Sequence, residues 1–278
     1  MRFAIYLPTV KEFADVRLLA DLAREAEEAG WDGVFVWDVL SLSLDEKPWP
    51  QVDAWAALAA IAATTKRVRI GPIVEAVARR RPWKLARETV SVDRLSRGRL
   101  TLGVGLGADP DTEFAAFGED ASARVRAEKL DEGLAVLTKL WGGKPVTHRG
   151  RHFKIKRTTF LPRPQQRPRI PIWVGGAWPN TAALRRAQRW DGFIPIHRDW
   201  PDDILAPEDY RAISAIVRAK RRTRPLDLGL IATYAGDRPV LATEEVRRYA
   251  DAGVTWWLQS RDTPRKMRAT IRGGPPRS

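Results

Sequence analysis

Residues 67–109 read RVRIGPIVEAVARRRPWKLARETVSVDRLSRGRLTLGVGLGAD. Two runs of β-branched and aliphatic residues, 68–74 and 100–104, flank one helical segment from about Trp83 to Leu95. Strand, helix and strand over about 35 residues is the spacing of a parallel crossover, which is right-handed in nearly all cases. Both strands carry unusual backbone chemistry: Gly71-Pro72 lies inside the first, and Gly103-Val104-Gly105-Leu106-Gly107 closes the second. Glycine at such a place lets a ligand approach the main chain closely. Ligands on parallel sheets sit at the carboxyl ends of the strands. The functional site is expected here.

Working outward, the same rhythm continues in both directions. Residues 3–7 form an apolar first strand, of the kind covered on both faces. Asp15 opens a helix with Leu18, Leu19, Leu22, Ala23 and Ala26 at helical spacing, and Gly30 stops it. A second strand, 33–37, closes on Asp38, and a polar loop, 41–52, leads to an alanine-rich helix at 54–64. Beyond the quoted stretch come a long loop from Asp109 and a helix at 123–141 ended by Gly142-Gly143. Segment 144–169 breaks the rhythm with extended runs at 145–149 and 152–156 around Gly150, which reads as a projecting hairpin insertion. Strands at 170–174, 192–196, 226–232 and 254–258 then alternate with helices at 180–189, 207–222, 243–252 and 264–271. Eight strand–helix units without a linker predict a single α/β domain over 1–272, a (β/α)8 TIM barrel with a hairpin insertion after the fourth unit. The tail, 273–278, is expected to be disordered.

The chain has 278 residues, 44% of them hydrophobic and 29% charged, ordinary values for a globular protein. No apolar run reaches the roughly 18 residues of a membrane helix. The N-terminus already reads as a strand rather than a signal peptide, so a cytoplasmic location is expected. Absence of cysteine excludes disulfides, thiolate metal sites and cysteine nucleophiles. A net charge of +14 favours anionic partners, or reflects an arginine-rich composition. No clustered basic stripe with interleaved aromatics accompanies it, which argues against nucleic acid. His148 and His152 have the spacing of a helical metal pair but flank a glycine turn, so no metal is expected.

An ordered set of segments resembles the luciferase-like family of flavin- and deazaflavin-dependent oxidoreductases. They are EAEEAGWDGVFVWD (25–38), AATTKRVRIG (62–71), RRRPWKLARETVSVDRLSRGRLTLGVGLG (79–107), RAEKLDEGLAVLTKLWGG (126–143), PRPQQRPRIPIWVGG (162–176) and RRAQRWDGFIP (185–195). The resemblance implies FMN or coenzyme F-420 at the open top of the barrel, a small-molecule substrate, and hydride transfer or oxygen activation. A homodimer is compatible with it. It implies a cis peptide at Ile73-Val74 behind the middle of the flavin ring. It also places Gly105, Leu106 and Gly107 along the ring edge and phosphate tail. Gly175, Gly176, Ala177 and Trp178 match the phosphate loop, whose following helix start near Asn180 suits an anion on physical grounds as well. Arg124 or Arg126 is a candidate second phosphate ligand, and Asp38 would face the barrel mouth.

Two departures matter. Val39 stands where the family often has a catalytic histidine, and Ala108 where several deazaflavin dehydrogenases carry a glutamate. Neither proton-handling group carries over, which argues against sugar-phosphate dehydrogenase chemistry. Asp38, Glu75 and His197 are the remaining catalytic candidates. Trp49 and Trp200 are candidates to stack on a flat substrate. The leading expectation is an FMN- or F-420-dependent oxidoreductase or monooxygenase; the alternative is a flavin-binding barrel without catalysis.

Overall fold

Strands and helices alternate from the first residues in the computed structural model, which describes residues 1–41, 43–44, 47–197, 204–220, 226–233 and 243–276. β1 (Arg2–Leu7) is buried from Phe3 onward. α1 (Val16–Glu28) starts at Asp15, whose carboxylate accepts from the amides of Arg17 and Leu18, satisfying orphan donors of the first turn. β2 (Gly33–Val36) follows, then a small antiparallel pair, β3 (Ser43–Leu44) and β4 (Lys47–Pro48). α2 (Ala54–Thr64) is capped by Asp53. The expected third strand is split into β5 (Arg69–Pro72) and β6 (Glu75–Ala76), and the Ile73-Val74 peptide between them is cis.

α3 (Pro82–Leu95) crosses over to β7 (Leu102–Gly105), completing the unit from which the fold was read. A one-turn α4 (Pro110–Glu113), capped by Asp109, stands where a plain loop was expected. α5 (Ala123–Trp141) leads to the hairpin of β8 (Val146–Arg149) and β9 (Lys154–Thr158). Then come β10 (Ile172–Ala177), α6 (Thr181–Ala187), β11 (Gly192–Ile196) and α7 (Pro207–Lys220). β12 (Asp227–Thr233), α8 (Thr243–Asp251), β13 (Trp256–Ser260) and α9 (Pro264–Gly273) complete the order.

The nine main strands are all parallel, in the order β5-β2-β1-β13-β12-β11-β10-β7-β6. Because β5 and β6 are the two halves of one stave, this list joins its own ends. β5 pairs with β2, β6 pairs with β7, and a parallel bridge between Ile70 and Leu100 closes the lower part. The result is an eight-stave (β/α)8 barrel. Its interior is filled by aromatic side chains: Phe35, Trp173 and Trp256 have ring centroids 5.4–5.8 Å apart. These rings plug the barrel below its mouth, as layers of side chains do in such barrels. A second apolar layer packs the helices on the outside of the staves.

The hairpin lies along α5, where Glu132 accepts from the amides of His152 and Phe153, and Phe153 packs edge-on against Trp83. In the tail, α9 runs through Gly273, and Gly274, Pro275 and Pro276 are half-buried. Residues 277–278 lie outside the described residues.

Candidate functional site

Carboxyl ends of β2, β5, β7 and β10 converge on the Ile73-Val74 bulge. Tyr6 holds it from the barrel floor, donating its hydroxyl to the Ile73 carbonyl at 2.5 Å. Burial pushes the Tyr6 phenol well above its ordinary pKa, so it stays a donor. The neighbouring glycines make room for this bulge. A Cβ on Gly105 would lie 2.5 Å from Val74 Cγ2, and one on Gly175 2.7 Å from Val74 Cγ1. A Cβ on Gly103 would meet the Pro72 carbonyl, and one on Gly71 the Thr101 carbonyl. In the sequence these glycines read as space for a ligand; the structure gives the first claim on that space to Val74 and to close stave contacts.

A charged cluster sits beside the bulge. Arg79 donates to Asp38 Oδ2 and to Glu113 Oε1, both at 2.6 Å. Arg80 donates from Nε to Glu75 Oε1 at 3.1 Å and from its terminal nitrogen to Asp38 Oδ1 at 3.3 Å. The Trp55 indole donates to Glu75 Oε2 at 2.7 Å. Glu113 in turn accepts from the amides of Leu40 and Ala108, bringing a carboxylate to the place where the sequence has only Ala108. Glu75 is 0% exposed. Its pKa is raised well above the carboxylate range, first by burial, then by the Asp38 charge, against the pull of Arg80 and Arg79. A cavity of about 240 Å³ opens beside it, lined by Asp38, Val39, Leu40, Gln51, Val52, Asp53, Arg79 and Arg80.

Sequence reasoning named Asp38 and Glu75 as candidates and gave no catalytic role to Arg79 and Arg80. It missed Glu113 and Trp55, which reach the cluster from α4 and α2. The one usable signal was Glu113 three residues after Pro110, in a segment read as loop.

At the glycine turn that ends β7, Arg126 donates to the Leu106 carbonyl at 2.7 Å and lies over the Phe114 ring. It is 7% exposed, its Nε has no hydrogen-bond partner, and among the described residues no carboxylate pairs with it. Arg124 is instead directed outward and paired with Glu128 at 3.1 Å, with its side chain 77% exposed. Gly176 is packed so closely on α6 that a Cβ there would meet that of Ala183. Trp178 is fixed by its amide to the Ile196 carbonyl and by its indole to Asp209, and Asn180 caps α6. His197 follows β11, half-buried. Trp49 carries the Lys11 ammonium 3.5 Å over its ring, and Trp200 lies outside the described residues. His148 and His152 bind separate glutamates of α5, Glu132 and Glu128.

A family model described as luciferase-like monooxygenase matches residues 1–273. An F420-dependent glucose-6-phosphate dehydrogenase of Microbacterium testaceum is 32% identical over 70% of this chain, a match that spans only 56% of that relative's length. Among solved structures, an F420-dependent secondary alcohol dehydrogenase in complex with an F420-acetone adduct superposes with a TM-score of 0.81. It covers 99% of this chain and 98% of its own, at 17% identity. Monooxygenase RslO1 from Streptomyces bottropensis gives 0.79 at 23% identity, covering 98% and 97%. At these identities the structures establish the barrel fold. Among the described residues, no helix is long and apolar enough to cross a membrane.

Proposed function

The chain belongs to the luciferase-like monooxygenase family, and from that premise we propose that it is an oxidoreductase using FMN or coenzyme F-420 on a small organic substrate. Arg126 carries this reading. A buried guanidinium without a carboxylate partner is costly unless an anion completes it, and this one lies at the glycine turn that ends β7. A phosphate-bearing cofactor supplies such an anion, and arginine suits it because its planar fork can meet two oxygens. Gly105, Leu106 and Gly107, with Arg126, would hold one part of the cofactor. Gly175, Gly176, Ala177, Trp178 and Asn180 would border its phosphate end, and the Ile73-Val74 bulge would back its ring, with Asp38 at its edge. When bound, the cofactor supplies hydride transfer or oxygen activation; the protein supplies orientation and exclusion of water. Below the mouth the barrel is packed with Phe35, Trp173 and Trp256.

Absorbance and fluorescence titration of the purified protein with each cofactor tests this. Arg126→Ala should weaken binding at least tenfold, about 1.4 kcal/mol, with the barrel still folded. Unchanged affinity would place the phosphate elsewhere. Gly176→Val is the poorer probe, because its side chain would strike Ala183 whatever the ligand. A second reading, a flavin-binding barrel without catalysis, is favoured by Val39 and Ala108. It predicts binding without turnover of reduced cofactor.

A further inference from the structure

Three carboxyl groups, Asp38, Glu75 and Glu113, share two guanidiniums, Arg79 and Arg80, in a buried cluster. The charges balance only when one carboxyl is protonated. Glu113 is held by Arg79 and two backbone amides, and Asp38 by both arginines. Glu75 has the least access to solvent and shares the Arg80 guanidinium with Asp38, and burial and the Asp38 charge push its pKa up. The groups facing it are Asp38, Arg79, Arg80 and the Trp55 indole, with Glu88 of α3 acting on Arg80.

We propose that Glu75 is the proton store of this site and Asp38 its outlet, serving a substrate oxygen held in the 240 Å³ cavity. The proposal rests on the oxidoreductase reading for its substrate. The step moves one proton and no electrons through the protein. The O–H bond of Glu75 breaks as its proton passes to the Asp38 carboxylate. The O–H bond so formed on Asp38 breaks in turn as that proton moves to the substrate oxygen. Glu75 is left as the carboxylate that Arg80 and Trp55 already hydrogen-bond. In the reverse direction the pair accepts a proton from a hydroxyl group. Asp38 touches the cavity and is the catalytic residue; Glu75 acts through it and is a positioning residue. The pair supplies what Val39 and Ala108 lack.

Infrared spectroscopy of the intact protein at neutral pH reads the stored proton directly, with or without cofactor. Wild type should show the C=O band of a buried protonated carboxyl, and Glu75→Gln should lose it. Asp38→Asn should lose it too, although Glu75 is still present, because removing one negative charge leaves two guanidiniums for two carboxylates. No band in wild type, or a band that survives Glu75→Gln or Asp38→Asn, would overturn the proposal. With whichever cofactor the titration shows to bind, Glu75→Gln should shift the pH profile of turnover and lower kcat at least tenfold while leaving cofactor affinity unchanged. An unaltered profile would also overturn it. Failure of both cofactors to bind would instead refute the oxidoreductase reading and leave the infrared result standing by itself.

Discussion

Val74 is the residue around which its neighbours are chosen. Both of its methyl groups lie where a side chain at Gly105 or Gly175 would go. Gly105→Ala should therefore destabilise the barrel by overpacking, on the order of 1–3 kcal/mol. In a Val74→Ala background the same substitution should cost much less, with a coupling of about 0.5–3 kcal/mol. Chemical denaturation of the four proteins measures the cycle; equal costs in both backgrounds would mean that Gly105 serves something other than Val74. Site legibility follows the same logic. Asp38 and Glu75 were readable because each sits near a strand end that periodicity locates, whereas the cis pair Ile73-Val74 was legible only through the family resemblance. Glu113 and Trp55 were not, because only tertiary folding brings α4 and α2 to the same few ångströms.

Elements are joined here by buried carboxylates that cap strands and loops. Glu27, in the last turn of α1, accepts from the amides of Lys66, Arg67 and Val68 just before β5. Burial alone would raise its pKa, but those three amides and the Arg67 charge outweigh it, and the pKa is lowered. A carboxyl with a folded pKa below its unfolded one stabilises the protein above the unfolded value. That stability is lost as pH falls from the ordinary glutamate range through the lowered folded pKa. Glu27→Gln should cost about 1–3 kcal/mol at neutral pH and clearly less near pH 4. An equal cost at both pH values would show that its hydrogen bonds, not its charge, matter. Glu132 does the same for the hairpin, holding the amides of His152 and Phe153 and the His148 ring. Glu132→Ala should speed hydrogen exchange at those two amides and leave β10 protected; exchange that rises equally in both would refute a local role. Neither anchor was visible in the sequence, since a lone glutamate on a helix reads as solvated surface.

At the scale of the whole molecule the barrel was legible almost entirely, because eight apolar runs at regular spacing admit few other closures. What periodicity missed was the break in the third stave: two residues of bulge are too short to disturb a count of strands. The net charge of +14 acts at this scale as well. A field of that sign attracts an anionic cofactor before any contact forms, and salt screens it over a Debye length of about 10 Å at 0.1 M. The association rate of FMN or F-420 should therefore fall as salt is raised from about 0.05 to about 0.5 M. If Arg126 holds the cofactor as proposed, the dissociation rate should change less, since that guanidinium is buried and poorly screened. F-420, with its longer anionic tail, should show the steeper dependence. Stopped-flow fluorescence at several ionic strengths separates the two rates. An association rate indifferent to salt would mean that the surface charge reflects composition alone, and that Arg126 and its neighbours capture the cofactor without long-range help.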